Sequence, residues 1–234
     1  MINYEITESV LNITFDDGKA NVWSQASAEA LLETFEKAES DDDAKVVVLR
    51  GRPGKFSAGF DLGGFQSGNV EDARSQALAG FALFTKLVSF PKPLVTVSEG
   101  HAIGMGAFIL LAADTRIGLD QPCKIGLPET ALGMPLEPIM LAEVAKSRIN
   151  QNHFIFAALQ SKMYQPLEAV EAGFLDLVVG ADLLEATVSA ATSQLLALPS
   201  HQYAANKALL KRDVIKKVSD NLAAIQASPD SLFA

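Results

Sequence analysis

Apolar and polar residues alternate through Tyr4 to Ile6 and again through Val10 to Phe15. Glu8-Ser9 lies between the two runs and Asp16-Asp17-Gly18 behind them, so the chain opens with a predicted β-hairpin. From Ser24 the spacing changes. Ala28, Leu31, Leu32, Phe35 and Ala38 recur at helical intervals behind a serine suited to cap the first turn, and the acidic run Glu39 to Asp43 closes that helix. Val46-Val47-Val48-Leu49 is a continuous, mostly β-branched run, the pattern of a strand covered on both faces. A glycine-rich segment follows it directly. The same order returns with Leu94 to Val97, Gly100 to Gly106 and the apolar stretch Ala107 to Ala113, so the chain reads as a loosely repeated unit of strand, glycine loop and helix. Residues 75–89 and 137–197 are patterned mainly as helix, broken at Pro166 and at Leu177-Val178-Val179. From Gln202 to Ala227 apolar residues keep helical spacing, with Lys207, Lys211, Arg212, Lys216 and Lys217 among them. The expected organisation is α/β over residues 1–197 with a helical region over 198–234.

Composition narrows the function. With 234 residues, 49% of them hydrophobic, the chain can bury one substantial core. A net charge of −9 opposes bulk attraction to nucleic acid or an anionic membrane, because counterion release needs clustered Lys and Arg. Any anionic ligand must then be held by local geometry. Cys123 is the single cysteine, which rules out an intramolecular disulfide or a thiolate metal cage and suits a reducing compartment, with an inert thiol expected. The amino terminus has no basic stretch leading into an apolar run, and no apolar run reaches the ~20 residues of a membrane helix. A cytoplasmic chain with neither nucleic acid nor membrane as partner is expected.

The chemistry concentrates in the two glycine-rich segments. In Lys55-Phe56-Ser57-Ala58-Gly59-Phe60-Asp61-Leu62, small residues follow a buried-type strand, where side chains would keep a ligand away from the backbone. Glu99-Gly100-His101-Ala102-Ile103-Gly104-Met105-Gly106 opens a strongly apolar helix, whose first N–H groups have no partner within the helix and suit a developing oxyanion. No Gly-Lys-Ser/Thr follows the glycines and no Gly-x-Gly-x-x-Gly occurs in either segment, so the nucleoside triphosphate and dinucleotide readings fall.

Phe56 to Leu62 closely resembles the first signature of the crotonase (enoyl-CoA hydratase/isomerase) family, and Gly100 to Ala107 resembles the second. Ala113 to Ile117, then Ile125-Gly126-Leu127-Pro128-Glu129-Thr130-Ala131-Leu132-Gly133, resemble the next strand and the catalytic-glutamate segment. With Asp17-Gly18-Lys19-Ala20-Asn21 and Ala169 to Phe174, six pieces occur in order over most of the chain. The resemblance implies an α/β spiral of ββα units with a helical carboxy-terminal region used in a homotrimer or a dimer of trimers. It implies an acyl-CoA or enoyl-CoA ligand, with no cofactor beyond the CoA that the substrate carries. It places the oxyanion donors at the Phe60 and Met105 N–H groups. The substrate-binding set it implies is Lys19, Ala20, Ser57, Ala58, Gly59, Asp61, Leu62, Gly104 and Phe108. Met105 stands where the family usually has glycine.

Hydratases of that family use two glutamates around one water. One of the two positions is Glu129 here; the other is Phe108. Adding water needs proton delivery at one carbon and water activation at another, whereas an allylic shift needs one base. The pattern around Glu129 also resembles the Δ3,Δ2-enoyl-CoA isomerase branch, which keeps that carboxylate alone. Isomerisation is therefore expected ahead of hydration. A silent acyl-CoA binder and hydrolase or lyase chemistry on a thioester stand as alternatives. Glu137 and Glu143 lie nearby on the sequence, where a solvated helix face is the plain reading. His101 is expected to support its loop, since no nucleophile-elbow pattern surrounds Ser98. Asp114 and Arg116 are expected to pair at a strand start, and Phe81, Phe84, Phe90 and Phe108 to line the core or an acyl pocket.

Overall fold

The structure is a computed structural model and describes residues 1–63, 69–134, 136, 139–229 and 232. Strands β1 (Ile2–Thr7) and β2 (Val10–Phe15) form the expected antiparallel hairpin, turned at Glu8 and Ser9 with φ of 51° and 64°. Positive φ at both central residues gives a turn whose twist matches that of the strands. Strand β3 (Val22–Trp23) leads into helix α1 (Gln25–Ser40), and the Ser24 hydroxyl accepts from the Ser27 N–H at 3.2 Å as the sequence predicts. Then come β4 (Val46–Arg50), β5 (Gly54–Ser57), β6 (Gly59–Phe60) and helix α2 (Val70–Ser89). The second unit follows: β7 (Leu94–Ser98), β8 (Gly100–Ile103) and α3 (Met105–Ala112). Strands β9 (Thr115–Leu119) and β10 (Ile125–Gly126) precede helices α4 (Ile139–Arg148), α5 (Gln151–Ala158) and α6 (Pro166–Ala172). Strand β11 (Leu177–Val179) and helices α7 (Leu184–Leu196), α8 (Ser200–Leu210) and α9 (Arg212–Ala227) complete the order.

The main sheet runs β1-β2-β4-β7-β9-β11, parallel from β2 onward. Alternation along its strands divides two cores. Val46, Val48, Val95, Val97 and Ile117 face Leu184 and Val188 of α7, while Val47, Leu49 and Leu94 join the larger core with α1, α2 and α3. A sheet covered on both faces explains why its strands read as continuous apolar runs.

The glycine segments are more ordered than the sequence pattern indicates. Each carries a short strand, and β10, β8 and β5 form a second, parallel three-stranded sheet, with β3 and β6 paired beside it. These strands are too short for periodicity to register. Three further boundaries differ from expectation. Helix α2 begins at Val70 behind Asn69, whose side chain caps Glu71, five residues before the apolar pattern starts. Pro166 is the first residue of α6 rather than a break, since its missing N–H is one the first turn does not need. The carboxy-terminal segment is two helices joined at Lys211.

Asp114 and Arg116 do not pair with each other. Arg116 meets Asp176, and Asp114 accepts from Lys207 of α8, Lys211 and the Leu94 N–H. Elements distant in sequence bring each of them a closer partner than its neighbour two residues away. Helix α9 packs on α2 and α4, with Val218 and Ile225 buried in the main core.

Candidate active site

The site is assembled by main-chain stitching between four segments. At its base, Asp17 accepts from the N–H groups of Lys19, Asn21 and Val22; burial alone would raise its carboxyl, but these donors hold it below the usual range. Asn21, wholly buried with φ of 54°, donates to the Phe15 carbonyl. The next segment is tied to this turn twice. The Ala58 N–H donates to the Ala20 carbonyl at 3.1 Å, and the Ser57 hydroxyl donates to the Asn21 carbonyl at 2.7 Å while accepting from the Gly59 N–H at 3.1 Å.

Two glycines then bring the signature segments into contact. A methyl group on Gly59, whose φ is 89°, would lie 2.7 Å from the Ile103 carbonyl oxygen and 3.3 Å from the Met105 amide nitrogen. One on Gly106 would lie 2.5 Å from the Ser57 carbonyl oxygen. Backbone atoms cannot yield to such contacts, so only glycine permits this approach. Phe60 and Met105 are thus held on adjoining segments at the start of α3. Gly104 links them to the glutamate: its N–H donates to the Gly126 carbonyl at 2.9 Å, and a methyl group on it would lie 3.2 Å from Glu129 Oε1.

Glu129 sits where β10 passes into a single 3-10 turn, Thr130–Leu132. Its carbonyl accepts from the Met134 N–H at 2.8 Å, and Ala131 N–H donates to Ser161 Oγ, so the turn is fixed. The carboxyl Oε2 is buried and has no hydrogen-bond partner. Burial pushes this carboxyl up to about 7, against a smaller opposing pull from its own N–H. The residue as a whole is only partly covered, but its Oε2 is shut off from solvent, and loss of water around the carboxyl is what raises it.

The structure therefore brings together Ala20, Ser57, Ala58, Gly59, Phe60, Gly104, Met105 and Glu129. Asp61 lies at the edge, its N–H donating to the Trp23 carbonyl at 3.2 Å; Leu62 and Lys19 are exposed. Phe108 is fully buried with its ring edge-on to Phe84, 6.1 Å between centroids, and Phe81 and Phe90 share that core. Glu143 is engaged by Lys217 of α9 at 2.8 Å, and Glu137 lies outside the described residues. His101 Nδ1 accepts from the Lys124 N–H at 2.9 Å while Ser98 Oγ donates to the Gly100 carbonyl, an arrangement that supports the loop. Cys123 is buried and its thiol is pushed up to about 11 by that burial. Sequence reasoning missed Gln76, whose side chain donates to the Asp61 carbonyl at 3.0 Å; a polar residue on the mainly apolar buried face of α2 was the available signal. A cavity of about 400 Å³ lined by Asp114, Arg148, Tyr203 and Lys211 lies at the other end of α3 from Glu129.

Residues 5–233 match the sequence profile of the enoyl-CoA hydratase/isomerase family. The chain belongs to that family. Among curated members, human mitochondrial enoyl-CoA delta isomerase 1 is 29% identical over 201 residues, covering 85% of this chain and 66% of that protein. Carnitinyl-CoA dehydratase of Salmonella arizonae is 36% identical over 126 residues, covering 53% of this chain and 48% of that protein. The chain thus spans from about half to just under two thirds of the length of these curated relatives. The crystal structure of an enoyl-CoA hydratase/isomerase family protein from Pseudomonas syringae superposes with a TM-score of 0.90 at 28% identity, covering 97% of both chains. The crotonase fold implied by the motifs is therefore present. Among the described residues no helix is long and apolar enough to cross a membrane.

Proposed function

We propose that this chain shifts the double bond of an enoyl-CoA thioester between the 3 and 2 positions, with Glu129 as its one base. The observation that carries the reading is the Glu129 carboxyl, buried, without a partner for Oε2, and beside the Gly104 and Met105 start of α3. The thioester carbonyl is held by the Phe60 and Met105 N–H groups. Glu129 removes a proton from C2, the electrons pass into a dienolate whose oxygen those donors stabilise, and the same carboxylic acid returns the proton at C4. The reverse sequence runs the other way. A base near 7 suits both halves, since at neutral pH it is present as acceptor and as donor in similar amounts. Hydration would need a second carboxylate, and the position that relatives use for it holds Phe108.

The test is incubation with 3-enoyl and 2-enoyl thioesters, with products read by mass and ultraviolet absorbance. Interconversion without a gain of water supports the isomerase, and a hydrated product overturns it. The pH profile is a second check. The ionised fraction of Glu129 falls tenfold per unit below its midpoint, so kcat/KM should rise with unit slope up to about pH 7 and then level. A flat profile across that range would remove a base with this titration.

Assembly as a trimer, or a dimer of trimers, belongs to the same proposal. Ile155 and Phe156 of α5, Leu159 just after it and Leu132 in the turn that follows Glu129 are each about half exposed. Apolar side chains grouped beside a site are the kind of surface that copies of a chain cover. Light scattering should give three or six times the chain mass, and a concentration-independent monomer would refute the assembly.

A further inference from the structure

Gly80 sits in the middle of α2, where glycine costs about 0.5–1 kcal/mol relative to alanine in helix stability. It is buried among Ala77, Ala79, Phe81 and Phe84, so solvent exposure does not explain it. The neighbour explains it. A methyl group on Gly80 would lie 2.3 Å from Phe60 Cε1 and 2.6 Å from Cζ, so the Phe60 ring rests directly on the helix backbone. Phe81 closes the seat from the side, its ring edge-on at 5.9 Å between centroids. One turn earlier on the same face, Gln76 donates to the Asp61 carbonyl, and the Asp61 N–H is held by the Trp23 carbonyl. Helix α2 therefore grips both the ring of Phe60 and the residue after it.

We propose that Gly80 is a positioning residue: the space left by its missing side chain seats the Phe60 ring and thereby sets the direction of the Phe60 N–H toward a bound thioester carbonyl. This rests on the reading of that N–H as an oxyanion donor. The contact is to the outer edge of a side chain, so alanine at position 80 is accommodated by lifting the ring rather than by breaking the helix. Lifting the ring turns the Phe60 peptide, and a donor displaced by about 1 Å can cost about 100-fold in rate.

The experiment uses Gly80→Ala, Phe60→Leu and the double variant, with two readouts. One is turnover of a 3-enoyl thioester. The other is the infrared stretch of a carbon-13-labelled thioester carbonyl bound to the protein, which reports polarisation whether or not turnover occurs. Gly80→Ala is expected to lower kcat by about 10- to 100-fold, to leave the thioester Kd unchanged, and to lose most of the red shift of the carbonyl. In the Phe60→Leu background, where the shorter side chain leaves room, the same change should cost little, so the two losses are strongly non-additive. If Gly80→Ala does not fold, Phe60→Leu alone should still weaken the red shift by emptying the seat. An unaltered shift in Gly80→Ala, or in Phe60→Leu where only that variant folds, overturns the proposal, as does an equal loss in both backgrounds. A red-shifted carbonyl in a wild type that does not turn over removes the isomerase reading and leaves the Gly80 comparison decisive. No red shift in the wild type removes the donor and the proposal with it.

Discussion

Glutamine at position 129 should reduce double-bond migration by ~10²–10⁴-fold while the thioester still binds within a few-fold of wild type. The size follows from the role, because loss of a general base removes the group to which the proposed mechanism gives both proton transfers. Binding is spared because Glu129→Gln keeps the shape of the side chain, and the carbonyl donors proposed here are main-chain groups. Glu129 Oε2 makes no hydrogen bond, so the substitution breaks no existing contact of that atom. The deciding measurement is deuterium incorporation at C2 and C4 of a bound enoyl thioester in heavy water. Exchange in the wild type at both carbons, and in neither for the variant, is the expected outcome. Equal exchange in the two proteins would remove Glu129 from the mechanism. Absence of exchange from both would make the chain a silent acyl-CoA binder.

What the sequence discloses is uneven, for physical reasons. The hairpin, α1 and the central strands are legible because their pattern repeats over several residues: β2 and α1 bury one face, and β4 is covered on both. The second sheet is not, since β5, β6, β8 and β10 are between two and four residues long and are held by partners far along the chain. The two glycine segments are legible as donor loops from their composition, but the roles of single residues, Glu129 included, come only from the resemblance. Nothing local to Gly59 says that it meets Ile103, or that Gly104 faces Glu129; those contacts exist after two separate segments have folded against each other. The Asp114 and Arg116 reading fails for the same reason. Spacing of two along a strand puts both side chains on one face, but the charges that satisfy them come from Lys207, Lys211 and Asp176. Gly80 shows the converse case: a local rule is broken in a helix, and the breach points to a tertiary contact.

Asp114→Asn should destabilise the fold by about 3–5 kcal/mol at neutral pH, the range for removing one partner of a buried ion pair. The reason lies in an unequal count. Arg148 donates to the carbonyls of Leu111 and Ala113, and Lys211 to that of Ala112, so cations gather at the carboxy-terminal end of α3, where the helix dipole favours them. Lys207 is buried as well, donating to the Lys92 carbonyl. Asp114 is the carboxylate shared by both lysines. Its own carboxyl feels opposing effects: burial would raise it, but Lys207, Lys211 and the Leu94 N–H hold it below the usual range. Lys207 shows the other side of the sharing, pulled down to about 8 because burial outweighs its part of one carboxylate and Lys211 repels it. Removing the shared anion therefore strands two ammonium groups, whereas Lys207→Met removes one cation of several and keeps an apolar stem of similar length. The methionine variant should lose less than half as much. The sign with pH follows from the depressed carboxyl: the stability Asp114 supplies is present above its unfolded value near 3.8 and is lost as pH falls through the lower folded value, so the gap between wild type and Asp114→Asn should close in acid. Urea midpoints of the three proteins between neutral pH and about pH 3 measure this directly. Equal losses for the two variants at neutral pH would show that Asp114 is not the hub of the cluster.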